Sequence, residues 1–213
     1  MNRSYRRSLI PLAFVLPSGF AVLPAAGSSR ACEHIADARQ EALGSTVSVL
    51  GTVSVPAGAF DGGFAIQERG AGIYVLDAGG ASRQIGDVVR VTGTLVDNSG
   101  LLSIQPTSVA STSSSSPVRA RPSATGEVGE ATEGRLLHLH GTMLGPLVDD
   151  SPFGFKIEID DGSGPVQIFL YPGTGISTEG LAAGVRIDTS CFSNQFETTY
   201  ECDPPSPASF RLE

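Results

Sequence analysis

Basic residues are in short supply in this chain of 213 residues. Fourteen Lys and Arg face 22 Asp and Glu, a formal charge of −8. An acidic surface repels phosphate backbones unless its basic groups cluster, which counts against non-specific nucleic-acid binding. Aromatic residues are also sparse, at 7%, and tryptophan is absent. No nucleophile elbow, no His set beside a plausible nucleophile and no phosphate-cradling loop occurs, so the chain is expected to be non-catalytic and to need no cofactor. With three His and three Cys, ligands for a structural metal are scarce.

Abundance lies elsewhere. Gly (26) and Pro (14) are plentiful, and the hydrophobic content of 40% suffices for a buried core. That mixture suits turn-rich β structure. The stretch GFAIQERGAGIYVL, residues 63–76, shows the pattern best. Phe64 and Ile66, then Ile73 and Val75, alternate with other residues at the period of a half-buried strand. Arg69-Gly70-Ala71-Gly72 interrupts them where a chain reversal needs small residues. The glycines sit in a hairpin rather than at a strand-to-helix turn, so they carry no dinucleotide signal.

The first 27 residues read as a cleaved signal peptide. Arg3, Arg6 and Arg7 precede a largely apolar run, Leu9 to Leu23, and Ala25-Ala26-Gly27 offers a cleavage site. Pro11 and Pro17 and the shortness of the run argue against a membrane span, which needs about 20 apolar residues. Removing this segment removes three Arg and no acid, leaving 11 basic against 22 acidic residues, a charge of −11. A secreted or periplasmic location follows. A lipid anchor on Cys32 is the minor alternative, although Ser29-Arg30-Ala31 fits a lipobox poorly.

In an exported chain Cys191 and Cys202 are expected to pair as a disulfide. If 191–196 and 197–202 form a hairpin, the two cysteines sit opposite each other. Cys32 is then the odd thiol.

Along the mature chain, 33–42 (EHIADARQEA) reads as a short helix and TVSVLGTVSV, 46–55, as a strand with a bend at Gly51. After the hairpin come strands at 88–96 and 101–109, joined by the turn Asp97-Asn98-Ser99-Gly100. Residues 110–124, ASTSSSSPVRARPSA, are Ser- and Pro-rich and read as a linker. The pattern then restarts over 125–213. Gly141-Thr142 lies 90 positions after Gly51-Thr52, and GFKIEIDDGSGPVQIFL repeats the opening hairpin. A period that long indicates two copies of a small domain rather than a solenoid.

Each copy has five short strands and a Gly inside the first. Such kinks let one long strand pair with both halves of a small closed barrel, the Greek-key OB-fold. The expected fold class is all-β, with a first OB-fold domain over 33–109 and a second over 125–213. A β-sandwich is the main alternative.

The motifs IADAR, VSVLGTVSVPAG, GFAIQERGAGIYV and IGDVVRVTGTL resemble the OB-fold domains of exported bacterial proteins. Those include domains that flank the catalytic part of secreted nucleases. The resemblance covers 33–109, and 125–192 more loosely through EGRLLHLHGTM and IDDGSGPVQIF. It implies an exported nucleic-acid-binding-like module. The nuclease constellation itself has no counterpart in the chain.

An OB-fold holds its ligand on the outer face of strands two and three. With the apolar set turned inward, the outward residues are Gln67 and Tyr74 in the first copy and Lys156, Glu158, Gln167 and Phe169 in the second. Gln67, Tyr74, Lys156, Gln167 and Phe169 are the candidate ligand residues. The ligand expected there is single-stranded nucleic acid or another extended polymer such as an oligosaccharide. An envelope protein is the alternative partner, and a separately encoded nuclease a third. His138 and His140 share one strand face but lack further ligands. Asp160-Asp161-Gly162-Ser163-Gly164 reads as a turn rather than a calcium loop. Arg119 and Arg121 read as solubilising linker residues.

Overall fold

The computed structural model describes residues 31–76 and 82–213, so the expected signal segment lies outside the described residues. Helix α1 (Ile35–Ala38) is a single turn, shorter than the expected 33–42, and it buries Ile35 and Ala38 in the first barrel's core. Strands β1 (Thr46–Val55), β2 (Phe64–Glu68), β3 (Ala71–Val75), β4 (Asp87–Asn98) and β5 (Leu101–Ser114) follow. They close a barrel in the order β1-β2-β3-β5-β4, with β3 and β5 parallel. No helix among the described residues is long and apolar enough to cross a membrane.

The bend expected at Gly51 is the point where β1 changes partner. Thr46 to Thr52 pair with β4, and from Thr52 onward the strand pairs with β2. A Cβ on Gly51 would stand 3.0 Å from Ile66 Cβ and 3.1 Å from Ile35 Cδ1, so the residue is small because the core closes on it. Phe64, Ile66, Ile73 and Val75 fill that core as their alternation predicts. Each such side chain contributes about 1.5–3 kcal/mol by leaving water.

The second unit repeats the ring. Strands β6 (Arg121–Pro122), β7 (Leu136–Met143), β8 (Val148–Asp150), β9 (Gly154–Asp160), β10 (Val166–Leu170), β11 (Arg186–Phe196), β12 (Thr199–Asp203) and β13 (Phe210–Leu212) belong to it. β7-β9-β10-β12-β11 return to β7 by the β11–β7 pairing, and β10 runs parallel to β12. This is the connectivity of the first barrel, strand for strand. The chain is two tandem OB-type barrels. β6, β8 and β13 are additions, pairing with β7, β9 and β11.

Three sequence expectations need correction. The stretch read as linker begins later than 110, because β4 is long enough to keep β5 paired through Ser114. The hairpin reversal is confined to Arg69 and Gly70, at φ 48° and 85°, with Glu68 paired to Ala71. Gly72 is therefore a strand residue, and its small size serves a different contact described below. The Cys191–Cys202 disulfide forms, but the cysteines are not opposed: Ser193 faces Cys202. The two-residue turn at Glu197 and Thr198, with Glu197 left-handed, displaces the register by two positions. The bridge crosses the β11–β12 pair diagonally, with a Cα–Cα distance of 5.3 Å.

Candidate functional site

The two barrels form one body. Gly72 on β3 meets Gly134 backbone to backbone, and a Cβ on Gly72 would overlap the Gly134 carbonyl oxygen at 1.8 Å. Around that contact the Arg39 guanidinium donates to the Gly72 carbonyl (3.1 Å) and to Glu133 Oε1 (2.9 Å). The Leu136 amide donates to Gln67 Oε1 at 2.9 Å. Further along, the Glu197 amide donates to the Ser99 carbonyl, and Gly100 bridges Phe196. A third apolar cluster fills the seam, with Val55, Ala59, Ala65, Tyr74 and Leu101 from barrel one and Phe192 from barrel two.

This seam decides the fate of the expected ligand residues. Gln67 and Tyr74 do point out of the first barrel, but the second barrel covers them, leaving 8% and 3% of their surface exposed. The β2–β3 face of the first barrel is thus not an open ligand face. Tyr74 donates to Asp61 Oδ1 (2.5 Å) and packs on Phe192 with ring centres 5.8 Å apart. Burial, then the Asp61 hydrogen bond, pushes its hydroxyl well above the usual tyrosine range.

In the second barrel Lys156, Gln167 and Phe169 do share one outward face. Lys156 pairs with Asp150 at 2.8 Å and stands over the Phe169 ring at 5.7 Å. Gln167 donates to Glu201 Oε2 at 2.5 Å. Phe169 is buried edge-on against Tyr171, 4.6 Å between ring centres. These groups mostly satisfy one another. Beneath them lie two carboxylates that the sequence pattern did not single out, Glu201 and Asp203. They share the Asn194 amide, at 3.2 and 2.7 Å. Their place on β12, flanking Cys202, was the available signal, since the core-facing Cys turns its neighbours outward.

A wider concavity lies on another part of the seam, with a volume of about 540 Å³. Leu50, Thr52 and Val88 of barrel one form one wall, and Arg69, Arg119, Arg121 and Arg135 converge on it. Among the described residues Glu68 is the lone carboxylate there, and it is engaged by His34 at 2.8 Å and by Arg69 at 3.5 Å. No ion pair holds Arg119, Arg121 or Arg135 among the described residues. The Arg135 Nε is buried without a hydrogen-bond partner. Burial, then the charge of Arg121, pulls its guanidinium below the usual arginine value. Arg119 and Arg121 are more than solubilising: β6 pairs in parallel with β7, placing Arg121 beside Leu137 and fixing the segment against barrel two. Among the described residues no aromatic side chain lines this groove.

The remaining motifs are structural. Leu137 and Leu139 enter the core, while His138 contacts Asp188 Oδ2 and Ser190 Oγ, each at 3.2 Å. Among the described residues no three His, Cys, Asp or Glu are placed to hold a metal. Asp160 accepts from the Gly162 and Gly164 amides, and Asp161 accepts from Ser163 and Thr125, which ties the start of the second unit to its β9–β10 turn. Cys32 is a free, exposed thiol.

No family model matches the chain, and no curated protein does. Solved structures similar to it include a HINb domain at 12% identity, covering 80% of this chain and 96% of that one, with a TM-score of 0.35. A murine DNA-binding protein solved with double-stranded DNA is 11% identical over 78% of this chain and 94% of that one, at 0.39. The Ifi202 HINa domain, solved in complex with a 20-base-pair duplex, is 11% identical over 79% and 98%, at 0.34. Likeness at this level does not extend to what this chain binds.

Proposed function

We propose that this protein is an exported, non-catalytic OB-type binding module that holds the backbone of a phosphate-bearing polymer, single-stranded nucleic acid foremost, in the arginine groove at the barrel seam. The observation that carries this reading is the convergence of Arg69, Arg119, Arg121 and Arg135 on one concavity of an acidic protein, against a single, already paired carboxylate among the described residues. Unpaired guanidinium groups suit phosphate oxygens, which they bind in forked geometry. With no aromatic among its described lining residues, the groove shows no platform for base stacking there, so recognition runs through the backbone and tolerates sequence. The sugar–phosphate chain then replaces the expected β2–β3 ligand, because the seam covers Gln67 and Tyr74.

The test is fluorescence anisotropy of a labelled oligothymidylate across a salt series. Binding should weaken steeply with salt, and Arg121→Ala and Arg135→Ala should each flatten the slope of log K against log salt by about 0.7, one single-strand phosphate contact. Absence of binding at low salt overturns the reading, as does binding indifferent to both substitutions.

A second reading, contact with an envelope protein or with a separately encoded nuclease, is favoured by the β8–β9 hairpin. Val148 and Phe153 there are 52% and 69% exposed, an apolar surface left uncovered among the described residues. A pull-down from envelope extract that the Phe153→Ser variant abolishes would support it.

A further inference from the structure

A second cavity opens on the seam, with no lining residue in common with the arginine groove. Its volume is about 180 Å³. Both barrels build it. Phe60 and Tyr74 come from the first, Tyr171, Phe192 and Phe196 from the second, so five aromatic rings contribute to one small space. Phe60 meets Tyr171 with centres 5.0 Å apart and Phe192 at 6.1 Å, and neither contact is a parallel stack. Phe196 stands at the exposed rim.

Asp61 is the charged group of the described lining, beside the neutral Asn98, Ser99, Asn194 and Gln195. Asp61 lines the cavity, held by the Tyr74 hydroxyl and by the Gly63 amide at 2.6 Å. Asn194 also lines it and donates to Asp203, a fully buried carboxyl whose Oδ1 has no partner. Among the described residues no Lys or Arg lines the cavity. Burial holds the Tyr74 and Tyr171 hydroxyls above their usual range, and the nearby Asp61 carboxylate adds to both, so the rings stand beside negative charge.

We infer that this seam cavity binds a small organic cation, an alkylated ammonium group, between aromatic faces and the Asp61 carboxylate. Aromatic faces attract a cation electrostatically, and the attraction grows when water is excluded. A metal ion is a poorer occupant, since it requires several oxygen ligands at short range and the Asp61 oxygen is already bonded twice. A primary ammonium would need three acceptors, which mostly aromatic walls do not supply. An alkylated one needs few, and its size suits the space. Because residues of both barrels line the cavity, such a ligand would also favour the closed arrangement of the two.

Choline chloride and its uncharged isostere 3,3-dimethylbutanol are the probes, titrated by calorimetry into the full chain at constant ionic strength. Choline should saturate, and the neutral compound should bind at least about tenfold more weakly, the ratio that one cation–π contact of about 1.4 kcal/mol produces. Tyr171→Leu should reduce choline affinity at least about tenfold on the same basis. Asp61→Asn, at the exposed rim, keeps an acceptor for Tyr74 and should weaken choline without changing the neutral compound. Equal affinity for the two compounds overturns the proposal. So does failure of choline to saturate by about 50 mM, well above the millimolar range of a weak specific site, or choline binding unchanged in both variants. Oligothymidylate binding to the same variants should be unaltered, which separates this site from the arginine groove.

Discussion

Arg39, just beyond the single turn of α1, donates to Glu133 Oε1 at 2.9 Å across the barrel seam, with the two side chains 12% and 2% exposed. Glu133 also accepts from the Leu102 amide at 3.4 Å, so one carboxylate ties an arginine and a strand of barrel one to barrel two. Burial raises the Glu133 pKa and the Arg39 hydrogen bond lowers it, with burial the larger effect. Removing one partner strands the other. Arg39→Ala should therefore cost about 3–5 kcal/mol, the penalty of a buried unpaired charge. Arg39→Ala combined with Glu133→Gln should recover a large part of that loss. Chemical denaturation of the three variants checks this, and additive losses would show that the pair is not coupled.

The meeting of Gly72 and Gly134 makes a sharper demand. A methyl group on Gly72 falls 1.8 Å from the Gly134 carbonyl oxygen, too close for any rotation to relieve. Gly72→Ala should force the barrels apart while leaving the first barrel's own core intact, since the position lies on its outer surface. Small-angle scattering should report an enlarged radius, and Tyr74 should become accessible to quenchers. A variant with native dimensions would mean that barrel two shifts to accommodate the methyl group.

These two contacts show how much the sequence displays. The strand alternation and the 90-residue echo of Gly51-Thr52 in Gly141-Thr142 are local regularities, and they suffice for two barrels of one topology. The seam is not periodic. Nothing near Gly72 in the chain announces Gly134, and in sequence its glycine looks like part of the Arg69-Gly70 turn. Tyr74 and Gln67 read correctly as outward residues, yet outward from one barrel is inward for the pair. The arginine groove is assembled from residues 69, 119, 121 and 135, which no single window contains. Arg121 looked like linker because the two-residue pairing of β6 with β7 is too short to leave a pattern. That Lys156, Gln167 and Phe169 share an outward face was legible because one hairpin carries them all.

Acidity also has a definite consequence at Asp203. Burial, then the neighbouring Glu201 charge, holds its carboxyl well above the ordinary aspartate range. A carboxyl raised in the fold binds its proton more tightly there than in the unfolded chain. Its contribution is complete below about pH 4, the unfolded aspartate value, and is lost as pH rises through the raised folded value. Glu201 is raised as well, chiefly by burial, and acts in the same direction. Asp203→Asn should thus melt several degrees above the natural protein at pH 8, about 2–4 °C per kcal/mol at this size. The difference should vanish near pH 4. Equal melting curves at both values would mean that the carboxyl carries the same charge folded and unfolded.

The disulfide gives a test confined to the second barrel. Cys191 and Cys202 lie in its core, separated by 11 positions along the chain. Closing a loop of this length constrains the unfolded chain by about 3 kcal/mol, within the usual range for such bridges. The first barrel has no cysteine in its core. Reduction should accordingly lower the melting temperature through β11 and β12 and spare β1 of the first barrel. Hydrogen exchange should show protection lost first at Phe192 to Asp203 and retained at Val47 to Val53. The seam adds a condition: Phe192 is one residue from Cys191 and packs on Tyr74. Loosening β11 should therefore also expose Tyr74, and protection at β3 should fall with that of β11 rather than with that of β1. Simultaneous loss across both barrels would show instead that they unfold as a single cooperative unit.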